Sequence, residues 1–150
     1  MAKPDGLTIT YEADPDEATM KAVGDGLGAY NDQFAAHERP QPLWLVVRDA
    51  DGVVQAGLKG STLWRWLYVD WLWIAEPFRR GGLGGRLLSQ AEAVALERGC
   101  TGAYINTFTF QAPDFYPRHG YREVGRIEGF PPGHGWIWLV KALAQGGPSG

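Results

Sequence analysis

Cysteine is almost absent from this chain. Cys100 stands alone among 150 residues, so no internal disulfide can form, and the sequence fits a reducing compartment. No apolar run approaches the roughly 20 residues that a membrane-spanning helix needs, and residues 1–20 are acidic and polar rather than signal-like. Together these absences lead to the expectation of a cytoplasmic protein that engages no membrane. A basic charge balance is also missing. The net charge of -3 and pI near 5.6 argue against a general nucleic-acid partner, leaving only a local basic spot at Arg79–Arg80. Metal-ligand spacings do not occur: His37 and Cys100 have no companions that would complete a ligand set, so no metal is expected.

What remains is ordinary globular material, 45% hydrophobic and 21% charged, long enough to bury a core without staples. One domain over residues 1–150 is expected, with its core at about 7–143 and a flexible tail at 144–150. Tryptophan is the exception to the plain composition, with seven residues. Trp64, Trp66, Trp71 and Trp73 crowd one stretch, and Trp44 precedes them. Their simplest reading is core and sheet packing; the alternative is an aromatic-walled substrate pocket.

Element by element, "LTITYEA" (Leu7–Ala13) alternates like a short opening strand. Asp14 then serves as an N-cap with Pro15 at the first helical position. That helix is expected to break at "GDGLG" from Gly24, to resume through Tyr30 and Phe34, and to end at "ERPQP". Three antiparallel strands follow. Leu43–Asp49 and Val53–Thr62 are joined by the Asp51–Gly52 turn, and Trp64–Ile74 continues the meander. A helix is predicted from Leu83 to Arg98, stopped by Gly99, then a strand at Gly102–Phe108. "APDFYPRHG" reads as a short helix ending at Gly120, "YREVGRIE" as a strand, "GFPPGHG" as a loop, and "WIWLVKAL" (Trp136–Leu143) as the last strand. This order describes a mixed α/β sheet rather than a βαβ array.

The stretch "EPFRRGGLGGRLL" sets two arginines against four glycines at the entry to a helix. Glycines in that number cost conformational entropy, and they bring backbone N–H groups within reach of an anion at a helix N-terminus, where the dipole is positive. A nucleotide-triphosphate loop requires Lys and Ser/Thr after its last glycine, whereas Gly85 is followed by Arg86 and Leu87. A dinucleotide fingerprint started at Gly82 requires glycine at position 87, where Leu87 stands.

Arg79-x-x-Gly82-x-Gly84, between strand and helix, resembles the R/Q-x-x-G-x-G/A signature of the GNAT superfamily of acyl-CoA-dependent N-acetyltransferases. The family commonly reads V-x-P-E-x-R-G-x-G-x-G; here "IAEPFRRGGLGG" exchanges the proline and the glutamate. "APDFYPRHGY" (Ala112–Tyr121) is similar to the family's A-x-x-x-Y-x-x-x-G-F segment. The resemblance covers about Leu7–Leu143. It implies a mostly antiparallel central sheet flanked by helices, with one splayed parallel pair formed by Trp66–Ile74 and Gly102–Phe108. Acetyl-CoA would be the co-substrate, its pyrophosphate held by Arg79, Arg80, Gly81, Gly82, Leu83, Gly84 and Gly85. The resemblance also implies pantetheine pairing to the main chain of Trp73 and Ile74, and coenzyme contacts at Asn106 or Thr107 and at Thr109. Tyr116 takes the role of the acid that protonates the departing thiolate, in direct transfer without an acetyl-enzyme.

An amine acceptor must lose a proton before attack. Asp70, the one acid within "WRWLYVDWLWI", is the candidate base or amine anchor, with a structural role as the alternative; Glu76 lies too close to the loop. His134 is placed at the acceptor mouth, and His119 as a cation at a helix C-terminus. The acceptor pocket is expected from Tyr30, Asn31 and Asp32, from Trp64–Asp70 and from "EGFPPGHG", which suits a small amine. A peptide amine, or a non-enzymatic acyl-CoA sensor that dispenses with Tyr116, is the alternative. Such sheets often pair through terminal strands, which leaves a homodimer open.

Overall fold

The computed structural model describes residues 5–143; the tail expected at 144–150 lies outside them. The chain divides into two compact units, one ending at His37 and the other beginning at Glu38.

In the first unit, α1 spans Glu17–Asn31. Its N-cap is Asp16, not Asp14, and the Asp16 carboxylate accepts from the Thr19 N–H at 2.7 Å. Glu17 lies in the first turn, where the helix dipole favours it. The expected break at Gly24 does not occur. Each interior glycine costs about 1 kcal/mol relative to alanine but keeps its N–H, so the ladder runs on; the Lys21–Asp25 pair bridges one turn across it. The opening strand at Leu7–Ala13 is also absent. Leu7, Ile9 and Tyr11 do alternate, but a strand needs a partner for its amides, and among the described residues the first unit contains no strand.

The second unit is built on six strands: β1 (Gln41–Arg48), β2 (Val54–Leu63), β3 (Trp66–Ile74), β4 (Gly102–Phe108), β5 (Arg122–Glu128) and β6 (Gly135–Ala142), in the order β1-β2-β3-β4-β6-β5. All neighbours are antiparallel except β3 and β4. At the first hairpin, Asp49 accepts from the Asp51 and Val53 N–H groups and from Gln55 Nε2. These hydrogen bonds, that from the Gln55 side chain foremost, hold its carboxyl below the ordinary value. The second hairpin corrects the sequence reading: Trp64 and Arg65 are the turn, with φ of 48° and 66°, the sign pattern that matches strand twist in a two-residue loop.

Helix α2 (Leu83–Glu97) is the crossover between the parallel strands β3 and β4. Its Leu87, Leu88, Ala91 and Ala95 are buried and share one core cluster with Leu58, Leu67, Val69, Ile105 and Leu139 of the sheet. Arg98 fastens the far end, donating to the carbonyls of Gln41 and Pro42 and to Thr62 Oγ1.

Candidate active site

The pairing of β3 with β4 runs from Trp66↔Gly102 to Val69↔Ile105 and goes no further. At that point β3 carries a bulge: Lys59 of β2 faces Trp71 and Gly60 faces Val69, leaving Asp70 as the extra residue. A bulge bends its strand and increases its twist, so β3 leaves β4 where Asp70 is inserted. Beyond it, β3 remains paired to β2 alone. The Ala75 N–H donates to the Gln55 carbonyl at 2.8 Å, which sets the alternation of that ladder. Trp73 therefore directs its main-chain groups at Gly57 of β2, while Ile74 turns its own towards the gap. Of the two residues, Ile74 is therefore the one whose main-chain groups face away from β2.

The glycine segment lies beyond the end of β3. After a single 3-10 turn at Glu76–Phe78, Arg79 folds back and its Nε donates to the Ile74 carbonyl at 2.8 Å. Arg80 (φ 68°) and Gly82 (φ 82°) both adopt the left-handed conformation, which turns successive N–H groups into a concavity suited to anions. Gly82 is the N-cap of α2 and supplies no side-chain cap, and no acidic residue occupies the first turn. The first intrahelical bond is Arg86 N–H to Gly82 O, so the amides of Leu83, Gly84 and Gly85 have no intrahelical acceptor.

The glycines do different jobs. A Cβ at Gly81 would meet only the Phe78 carbonyl, at 4.0 Å, whereas one at Gly84 would come within 3.1 Å of the Phe115 ring, and one at Gly85 within 2.6 Å of the His119 ring. The first pair of glycines opens the backbone. The second pair lets the start of α2 sit directly on the segment that carries Tyr116.

Tyr116 is the residue before a 3-10 turn at Pro117–His119, which Gly120 ends in the left-handed conformation. Its ring packs edge-on to Phe115 and Tyr121 and is 9% exposed. Burial pushes its phenol up to about 12, so it stays a proton donor at neutral pH. No group among the described residues takes up that hydroxyl, and it is not a buried orphan. Tyr121, by contrast, donates to Glu92 of α2 at 2.9 Å, and Lys141 of β6 reaches the same carboxylate at 2.7 Å. This network ties α2, β6 and the Tyr116 segment together. His119 stacks obliquely on Phe115 at 4.5 Å, so its placement is explained by packing as well as by the helix end.

Asp70 is a half-buried carboxylate at the head of the splay. Lys59 Nζ lies 3.1 Å from it and 4.2 Å from the centre of the Trp71 ring, and the Tyr68 hydroxyl stands 3.5 Å away. Sequence reasoning missed Lys59, because only the cross-strand register brings it to Asp70. Of the expected coenzyme contacts, Asn106 shares the face of Tyr104 and Phe108 by strand alternation. Thr107 is buried and bonded to Gln111. The Thr109 hydroxyl accepts from the Gly135 N–H at 3.0 Å. His134 lies edge-on to Phe110 at 5.1 Å, beside a run of near-parallel rings formed by Phe110, Phe108, Phe130 and Trp136. Tyr30 lies on α1 of the first unit, exposed and against Phe34.

The tryptophans overturn their simplest reading. Trp44, Trp66, Trp71 and Trp73 are all more than 40% exposed, because the core takes the opposite, aliphatic positions of the same strands; Trp64, in the hairpin turn, is 44% exposed. Among the described residues no His, Cys, Asp and Glu group could hold a metal, and no helix is long and apolar enough to cross a membrane.

Comparison with known proteins places this geometry. Blasticidin-S acetyltransferase of Streptomyces morookaense is 47% identical over 93 residues, covering 61% of this chain and 68% of that protein. Acetyltransferase Atu2258 of Agrobacterium fabrum is 36% identical over 126 residues, covering 84% and 92%. A Bacillus cereus acetyltransferase of known structure superposes with a TM-score of 0.82 at 31% identity, over 89% of this chain and 98% of that one. With a strand pair splayed at a bulge, an uncapped glycine helix start beyond it, and the acetyltransferase (GNAT) family model matching residues 9–121, the chain belongs to the GNAT family of acetyltransferases.

Proposed function

We propose that this acetyltransferase moves an acetyl group from acetyl-CoA to a primary amine of a small molecule, directly and within a ternary complex. The observation that carries the reading is the uncapped start of α2, whose free amides stand beyond the end of the splayed strand β3. Arg80, Gly81, Gly82, Leu83, Gly84 and Gly85 offer N–H groups and positive potential to a pyrophosphate. The main chain of Ile74 pairs with the pantetheine arm. The coenzyme supplies an acetyl thioester. Asp70 anchors the incoming ammonium and accepts its proton; the amine nitrogen then bonds to the acetyl carbon, the carbon–sulfur bond breaks, Tyr116 protonates the sulfur that leaves, and the second proton released by the nitrogen returns to the Tyr116 oxygen. A backbone N–H of the splayed strand stabilises the oxyanion. The relative named for blasticidin S supports a small-molecule acceptor. The family match runs from residue 9 to 121, across the boundary at His37, which supports one acetyltransferase domain built from both units.

The test is thermal unfolding with acetyl-CoA, with adenosine diphosphate and NAD as comparators. A ligand at about a hundred times its dissociation constant adds roughly 2.7 kcal/mol, a shift of several degrees for a chain of this size. A shift specific to acetyl-CoA is expected; an equal shift with NAD would remove the assignment of the loop. Tyr116→Phe is then expected to keep that shift while thioester turnover with an amine acceptor falls by about a hundredfold. Undiminished turnover in that variant would overturn the role of Tyr116.

A further inference from the structure

The face of the sheet that carries the tryptophans contains a cavity of about 480 Å³, lined by Pro40, Ser61, Trp64, Trp66, Tyr68 and Tyr104. That volume suits a small ligand. Four of its walls are aromatic rings, Leu63 completes the lining, and no charged side chain lines it. Three observations show how it is built. Tyr68 and Tyr104 occupy one register position of the parallel pair, and their rings stack at 4.7 Å with planes 20° apart. Trp66 lies edge-on to Tyr104 and rests over Gly102, where a Cβ would stand 2.6 Å from the indole. Trp64 is held at the mouth by the positive-φ hairpin turn and by its N–H donating to Glu38 Oε2 at 3.1 Å.

The cavity shares one residue with the surroundings of Asp70. Tyr68 lines it and also stands 3.5 Å from Asp70 through its hydroxyl, and Asp70 is the bulge residue where the splay begins. It opens on the face opposite Leu67 and Val69, which pack in the core with α2.

Resting on the transfer reading above, we propose that this cavity is a slot for a flat unsaturated ring on the acceptor, and that Tyr104 and Trp66 determine the specificity. Asp70 lies two residue steps beyond Tyr68, roughly 7 Å along β3. A ring in the slot therefore places an amine at the splay when the two are joined by an arm of two or three carbons. The acceptor class is the arylalkylamines and their heteroaromatic counterparts. A saturated ring of equal size fills the volume but lacks the π-faces that stack on tyrosine and the edges that meet indole.

The experiment compares 2-phenylethylamine with 2-cyclohexylethylamine as acceptors, by kcat/KM. Stacking and edge contacts predict a preference of about fivefold or more for the flat ring. Tyr104→Phe is expected to keep that ratio and Tyr104→Leu to bring it near one, each variant showing the same acetyl-CoA thermal shift as the parent. A ratio near one in the parent chain, or a ratio that survives Tyr104→Leu, overturns the slot. If neither amine is turned over, their dissociation constants from the CoA-loaded protein are compared in the same way, and equal or unmeasurable values overturn it too. Loss of the acetyl-CoA shift in the parent chain would instead overturn the transfer reading on which the slot rests.

Discussion

The two faces of the sheet in the second unit are made from the same strands and have opposite characters. On the α2 side, Leu58, Leu67, Val69, Ile105 and Leu139 are buried against Leu87, Leu88, Ala91 and Ala95. The other side is aromatic and part-exposed, with Trp44, Trp66, Trp71 and Trp73 as its exposed rings and Lys59 drawn over Trp44 and Trp71. Aliphatic side chains in a closed core gain from removal from water and from dense packing. Rings left with a free face retain surface that a ligand can cover. One face therefore holds the fold together, and the other is available for recognition. Asp70 divides β3: the extra residue keeps Leu67 and Val69, then Leu72 and Ile74, on the core side, while the pairing with β4 ends at Val69.

The most direct way to break this contrast is by truncation. Leu88→Ala removes a side chain that is 1% exposed and is expected to cost about 2–5 kcal/mol, whereas Trp44→Ala, on a side chain 57% exposed, is expected to cost under about 1 kcal/mol. Denaturant midpoints at unchanged slope measure both. Equal losses would mean that the aromatic face is core in disguise.

Alkaline pH sharpens the comparison next. The Tyr116 phenol is held up to about 12 by burial, against about 10 when unfolded. Its contribution is therefore complete below pH 10 and is lost as pH rises towards 12, because there the native state binds a proton that the unfolded state has released. The descent is worth roughly 2–3 kcal/mol, and Tyr116→Phe is expected to flatten it in pH-jump unfolding. Tyr121, pushed further in the same direction by burial and then by Glu92, adds to the descent. A slope unchanged by Tyr116→Phe would place the effect elsewhere.

The smallest effect lies inside the glycine segment. Gly85→Ala is expected to lower the unfolding midpoint by a few degrees, about 1 kcal/mol or somewhat more, because His119 must move aside. Adding His119→Ala is expected to restore most of that loss, and Gly81→Ala to leave the midpoint unchanged. Equal penalties at Gly81 and Gly85 would show that the four glycines act alike.

Much of the second unit was legible before any coordinates. The limits of β4 were read correctly, α2 was misjudged by one residue at its end, and the Asp51–Gly52 turn was placed where it occurs. These elements rest on local chemistry: helical spacing, a glycine stop, a turn residue. The glycine-rich start of α2 was legible for the same reason, since a left-handed Gly82 before an uncapped helix is a property of consecutive residues. Trp64 and Arg65 were misread because aromatic residues favour strands, yet a two-residue hairpin needs positive φ at both positions, whichever residues occupy them.

By itself, then, the sequence determined the glycine segment, the helix behind it, the turn after Tyr116 and the succession of elements along the second unit, each through interactions between near neighbours. Only the tertiary structure decided that Leu7–Ala13 forms no strand, that the tryptophans face outward, that Lys59 pairs with Asp70 and that Tyr68 meets Tyr104. Each of those depends on which strand lies beside which, and in what register. A strand presents both faces alike until its neighbours choose one, and a single inserted residue at Asp70 resets that choice for everything after it.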